Sequence, residues 1–152
     1  MVKIRSGELD DPQVIALLQF HYDTNRELTP PESCHVFDLT QLKSPEVHFY
    51  SAWEGEVLLG VGALAELSKT EGEVKSMHTN RNGRRKGVGG AILQHIIDYA
   101  KRVGIKRLNL ETGSFQYFAP ARALYAAHGF VACGPYGDYK DDPNSAYMTL
   151  EI

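Results

Sequence analysis

A basic, glycine-rich loop between a strand-like segment and the longest periodic helix constrains the fold more than any other feature. Glu71 to Thr79 reads as a strand, and Arg84-Arg85-Lys86-Gly87-Val88-Gly89-Gly90 follows a polar turn. Val88, Ala91, Ile92, His95, Ile96, Tyr99, Ala100 and Val103 then recur at helical spacing, and Gly104 is placed to stop the helix. Lys106 to Thr112 reads as the next strand. A strand–helix–strand unit favours parallel neighbours in a sheet covered by helices.

The flanking segments favour antiparallel pairing. Val2 to Glu8 reads as a first strand, and Asp11-Pro12 as an N-cap followed by proline at the first helical position. Val14, Leu17, Leu18 and Tyr22 make that helix's apolar face, and Thr29 to Ser33 breaks it. A short helix is expected from Phe37 to Leu42, then strands from Glu46 to Trp53 and Val57 to Glu66 around a Glu54-Gly55 turn. Pro120 to His128 reads as a short helix stopped by Gly129, and Phe130 to Cys133 and Ser145 to Glu151 as final strands. The expected class is α/β, with a mixed, mostly antiparallel central sheet flanked by helices. The 152 residues, 43% of them hydrophobic, suffice for one domain spanning residues 1–152 with its own core.

Several function classes are disfavoured. The longest nearly unbroken apolar run, Val57 to Ala65, is about half of what a membrane helix needs. The N-terminus has no apolar signal region, and Cys34 and Cys133 lie far apart, so a cytoplasmic protein with reduced thiols is expected. A formal net charge of −3 argues against a dedicated nucleic-acid binder. The six histidines show no zinc spacing, so no metal is expected. No Gly-x-Ser-x-Gly elbow supports a serine hydrolase.

The loop itself reads as an anion site. Glycines let backbone approach a ligand closely, and the first amides of a helix point outward without internal partners. The positive end of the helix dipole and three basic side chains favour a polyphosphate. The loop is neither a Walker A motif nor Gly-x-Gly-x-x-Gly, but it does read Arg-x-x-Gly-x-Gly from Arg84 to Gly89. On those residues the sequence resembles the GCN5-related N-acetyltransferase (GNAT) superfamily. A second stretch, Ala121-Arg122-Ala123-Leu124-Tyr125-Ala126-Ala127-His128-Gly129-Phe130, is similar to that family's Ala-x-x-Leu-Tyr-x-x-x-Gly-Phe signature. Shorter strings such as Pro-Pro-Glu-Ser and Val-Lys-Ser-Met look like the YsnE-like branch of bacterial acetyltransferases. The resemblance covers nearly the whole chain. It implies acetyl-CoA as cosubstrate, its pyrophosphate on Arg84, Arg85, Lys86, Gly87, Val88, Gly89 and Gly90, and its pantetheine arm on the backbone of Met77, His78 and Thr79.

Acetyl transfer to an amine also needs a base and an acid. Holding an alkyl amine neutral at pH 7 costs about 4–5 kcal/mol, which a carboxylate relieves. The resemblance places that base at Glu73, with Glu111 on the next strand as the competing candidate. Strand alternation puts Glu73, Lys75, Met77 and Thr79 on one face. Tyr125 matches the family's general-acid tyrosine, whose phenol protonates the leaving thiolate. One departure stands out: Phe118 occupies a position where the family often has asparagine, leaving Ser114, Gln116 or Asn109 to compensate.

The acceptor pocket implied by the resemblance lies among the first helix, the loop after it and the loop between the last two strands. Asp138, Asp141 and Asp142 there suit a cationic amine or equally a solvated loop, whereas Arg26 and Lys140 suit an acceptor carboxylate. The leading expectation is transfer to a primary amine of a small molecule by direct attack in a ternary complex, with no nucleic-acid or membrane partner and a homodimer allowed. The alternative is a GNAT-fold acetyl-CoA-binding sensor or interaction module with weak catalysis.

Overall fold

The computed structural model describes residues 1–152. Seven strands form one sheet: β1 (Lys3–Ser6), β2 (Val47–Glu54), β3 (Val57–Glu66), β4 (Glu71–Thr79), β5 (Arg107–Gly113), β6 (Val131–Cys133) and β7 (Ser145–Glu151), in spatial order β1-β2-β3-β4-β5-β7-β6. Every pairing is antiparallel except β4 with β5. The expected mixed, mostly antiparallel sheet is the one observed.

Helices cover both faces. Helix α1 (Pro12–Leu28) starts where Asp11 accepts a hydrogen bond from the Gln13 amide and Pro12 pre-sets the first turn. Its Val14, Leu17 and Leu18 pack with Phe49, Trp53, Leu58, Val61 and Ala63 of the sheet. It ends at Thr29, which Pro30 holds extended. The short α2 (Leu39–Leu42) is fixed by a capping box between Asp38 and Gln41. Helix α3 (Val88–Arg102) lies on the opposite face, with Ile92, Leu93, Ile96, Ile97 and Ala100 buried against Leu64, Val74, Leu108 and Leu110. Strand β3 is buried from Leu58 to Ala65 because helices cover it on both sides. Helix α4 (Ala119–Ala127) lines one wall of the cleft described below.

Two local features shape the centre. Strand β4 carries an extra residue: Ala63 pairs with Lys75 but Val61 pairs with His78, and Ser76 takes a φ of 57°. This bulge breaks the alternation expected along β4. Glu73, Lys75 and His78 face α1, whereas Met77 packs into the α3 core beside Val74. The expectation that Glu73, Lys75, Met77 and Thr79 share one face is therefore corrected. The second feature is the brevity of the β4–β5 ladder. It joins Glu71 to Glu73 with Arg107 to Asn109 and goes no further, so the strands splay apart beyond that point.

Candidate active site

The splay opens a cleft of about 590 Å³ through the middle of the sheet. Arg84 and Gly89 mark one end, at the start of α3. Met77, His78 and Thr79 of β4 line one wall; Glu111 to Gly113 of β5 and Leu124 and Tyr125 of α4 line the other. His21, Asn25 and Thr29 of α1 and the segment from Ser33 to Val36 close the far end.

The fold divides the expected loop residues by role. Gly87 is the N-cap of α3 with a φ of 71°, a left-handed conformation that costs a side-chain-bearing residue about 1–2 kcal/mol. Arg84 lines the cleft. Lys86 instead pairs with Glu54 at 3.0 Å, on the β2–β3 turn. The Val88 side chain is buried in the core. Arg85 is exposed at a φ of 64°, and Gly90 lies nearest to the His128 ring. The unpaired amides of the first helical turn remain the loop's common offering to an anion.

The expected acid and bases also separate. Tyr125 is buried on the cleft wall, and burial together with the Glu111 charge keeps its phenol protonated well beyond the usual range. Glu111 lines the same cleft, and burial raises its pKa, with His35 and Lys75 pulling the other way. Glu73 is 5% exposed and lies behind the cleft wall, where it accepts hydrogen bonds from Tyr136 (2.5 Å) and Tyr139 (2.7 Å).

Phe118 fits because Gly113 has no side chain: a Cβ there would lie 2.2 Å from the Phe118 ring. Two of the three expected compensating groups are committed elsewhere. Asn109 bonds Glu71 and Thr149 within the sheet, and Ser114 donates to the Pro143 carbonyl at 2.6 Å. Of the two readings open for the loop acids, the solvated loop fits the geometry: Asp138, Asp141 and Asp142 do not line the cleft, and Asp142 is held by Ser33 at 2.5 Å. Arg26 stacks over Tyr22 instead of facing the cleft. Sequence reasoning missed Cys34 and His35. Their only signal is the Thr29-Pro30-Pro31 break, which turns the chain back through a 3-10 turn onto β4.

His21 and His78 meet across the cleft mouth with their Nδ1 atoms 2.9 Å apart, so one ring donates and the other accepts. Burial, then the neighbouring His78 and Lys75, lowers the His21 pKa from 6.5 to about 3. Because the folded value is depressed, His21 stabilises the fold above pH 6.5 and loses that contribution as pH falls toward 3. We expect the unfolding free energy to drop by up to about 2 kcal/mol more from pH 7 to pH 5 in the native chain than in His21→Gln. Urea titrations at the two pH values check this; parallel losses in both proteins contradict it.

The sequence profile of the Acetyltransferase (GNAT) family matches residues 14–130. The chain belongs to the GNAT acetyltransferase family. It is 47% identical over 149 residues to the uncharacterized N-acetyltransferase YsnE of Bacillus subtilis (strain 168), covering 98% of this chain and 99% of that one. It is 42% identical over 152 residues to the uncharacterized N-acetyltransferase YedL of Escherichia coli (strain K12), covering 100% and 96%. The crystal structure of a GNAT acetyltransferase from Elizabethkingia anophelis with acetyl-CoA bound superposes with a TM-score of 0.73 at 20% identity, covering 99% of this chain and 98% of that one. These GNAT relatives are N-acetyltransferases by name, and the chain is an acetyltransferase of the same fold. No helix is long and apolar enough to cross a membrane, and no group of three or more His, Cys, Asp or Glu side chains is placed to hold a metal ion. Both cysteines are free.

Proposed function

We propose that this GNAT chain uses acetyl-CoA to acetylate a primary amine of a small molecule, by direct attack in a ternary complex. The observation that carries the reading is the splayed β4–β5 pair, which puts a helix N-terminus, a half-buried carboxylate and a buried phenol along one continuous cleft. The pyrophosphate sits on the amides from Gly87 to Gly90 with Arg84 beside it. The pantetheine arm takes the unpaired backbone of β4 at Met77 to Thr79.

Glu111 accepts the proton that the incoming ammonium must lose. Its raised pKa brings it closer to the amine and makes it a better base than a solvated carboxylate. The neutral nitrogen then attacks the thioester carbonyl, the C–S bond breaks, Tyr125 donates its proton to the departing thiolate, and the second proton lost by the nitrogen restores the neutral tyrosine. A thiol has a pKa of about 8.5, below that of any phenol, so the proton moves as the C–S bond breaks, where the buried site disfavours a free thiolate. Glu73 holds the acceptor-side loops and takes no proton.

Thiol release from acetyl-CoA across a panel of primary amines tests the reading. We expect amine-dependent turnover, with a kcat about 100-fold lower in Glu111→Gln. The native kcat/KM should rise with pH through a value above the usual carboxylate range, and that acid limb should vanish in the variant. Tight acetyl-CoA binding with no amine-dependent release would favour the sensor alternative.

A further inference from the structure

The charges around the acceptor end of the cleft are almost all spent. Lys75 lines the cleft with its ammonium already committed. Its Nζ donates to the His35 carbonyl (2.9 Å) and the Tyr139 hydroxyl (3.3 Å), and lies 4.2 Å from the centre of the Phe37 ring. A carbonyl, a phenol and a ring face account for its three protons. Glu73 sits 3.9 Å from that ammonium and accepts from Tyr136 and Tyr139. The two β4 charges cancel each other and bind the two acceptor-side loops together, with the Tyr139 ring stacked edge-on against His35 at 4.8 Å.

The neighbouring ionisable groups are engaged as well. Asp142 is taken by Ser33 and by the Asn144 amide at 2.9 Å. His21 is a neutral imidazole at physiological pH, paired with His78. Arg84 belongs to the opposite end, at the start of α3. The acceptor side therefore offers Asn25 and Thr29 as neutral polar groups and Glu111 as the one carboxylate that lines the cleft, its charge only partly offset by His35 and Lys75. An uncompensated charge in a closed site is strongly unfavourable. A second ammonium on the acceptor would find no carboxylate, and a carboxylate on it would face Glu111 with no free cation.

We propose that the acceptor is a monoamine with an uncharged, polar body: its ammonium meets Glu111, and its hydroxyl or amide groups meet Asn25 and Thr29. This rests on the acetyltransferase reading above and narrows its substrate class. The spent Glu73–Lys75 pair is what excludes acidic acceptors.

Three probes of matched length test it: 3-amino-1-propanol, β-alanine and 1,3-diaminopropane, with thiol release from acetyl-CoA as the readout and calorimetric titration of acetyl-CoA alongside. The expected result is a kcat/KM for the amino alcohol at least 10-fold above either other probe. In Glu73→Gln the tyrosines keep an acceptor but Lys75 loses its counter-charge, so β-alanine should gain about 10-fold relative to the amino alcohol. Preference for β-alanine or the diamine in the native protein overturns the proposal, whether or not the variant folds. So does an unchanged ratio in a folded Glu73→Gln, or rejection of all three probes while acetyl-CoA binds. Absence of acetyl-CoA binding overturns the parent reading as well, so the two failures are distinguishable.

Discussion

Combining Arg84→Glu with Gly87→Glu is expected to raise the acetyl-CoA dissociation constant about 1,000-fold. Arg84 faces the cleft at the start of α3, where a charge-assisted hydrogen bond to phosphate contributes about 1.5–3 kcal/mol. Reversing its sign adds repulsion to that loss. Gly87 caps the same helix in the left-handed region, so any Cβ strains the turn that aims the amides. A Cβ at Gly87 meets no atom within 4 Å, so the added side chain has room and the fold survives. A total near 4 kcal/mol corresponds to about three orders of magnitude. Calorimetric titration, with circular dichroism to show that the variant is folded, reads the effect. Undiminished binding by a folded variant would remove the loop from the coenzyme site.

Tyr125→Phe carries the second large effect. We expect kcat to fall by 100- to 1,000-fold while the KM for acetyl-CoA stays within about threefold, because only a proton donor is lost. The ring packs against Phe130 at 5.8 Å, a contact that phenylalanine keeps. Burial holds the native phenol protonated across the neutral range, so the donor is present wherever the enzyme works. Initial rates against acetyl-CoA at saturating amine separate the outcomes. A kcat within threefold of native would reduce Tyr125 to a packing residue.

Much of this architecture was legible because it rests on local signals. Strands β3, β4 and β7 run over the residues expected from their apolar patterns, and Gly104 and Gly129 end their helices with φ values of 91° and 97°. Both motif stretches lie against the cleft, through Arg84 and Gly89 and through Leu124 and Tyr125. The features that were not legible depend on distant partners. The bulge at Ser76 has no sequence mark, since a serine there looks like any strand residue, yet it carries Met77 to the other face. Glu73 reads as a cleft residue until Tyr136 and Tyr139, more than sixty positions away, fold back onto it. The acidic loop from Asp138 to Asp142 suggests a cation site by composition alone, and only the Ser33 contact shows Asp142 stitching two loops together.

The short β4–β5 ladder has a consequence for how the protein responds to its surroundings. From Val74 to Thr79 one strand, and from Leu110 to Gly113 the other, present inward-facing backbone without a strand partner. The middle of the sheet is thus an unfinished seam, sheltered by helices from the strand of a neighbouring chain but open to a slender guest carrying its own amides. With the pantetheine arm laid there as proposed, the guest acts as a missing strand. By mass action the fold then gains about 2.7 kcal/mol when acetyl-CoA stands at a hundred times its dissociation constant. On that proposal, the endurance of this enzyme in a cell is tied to the acetyl-CoA available to it.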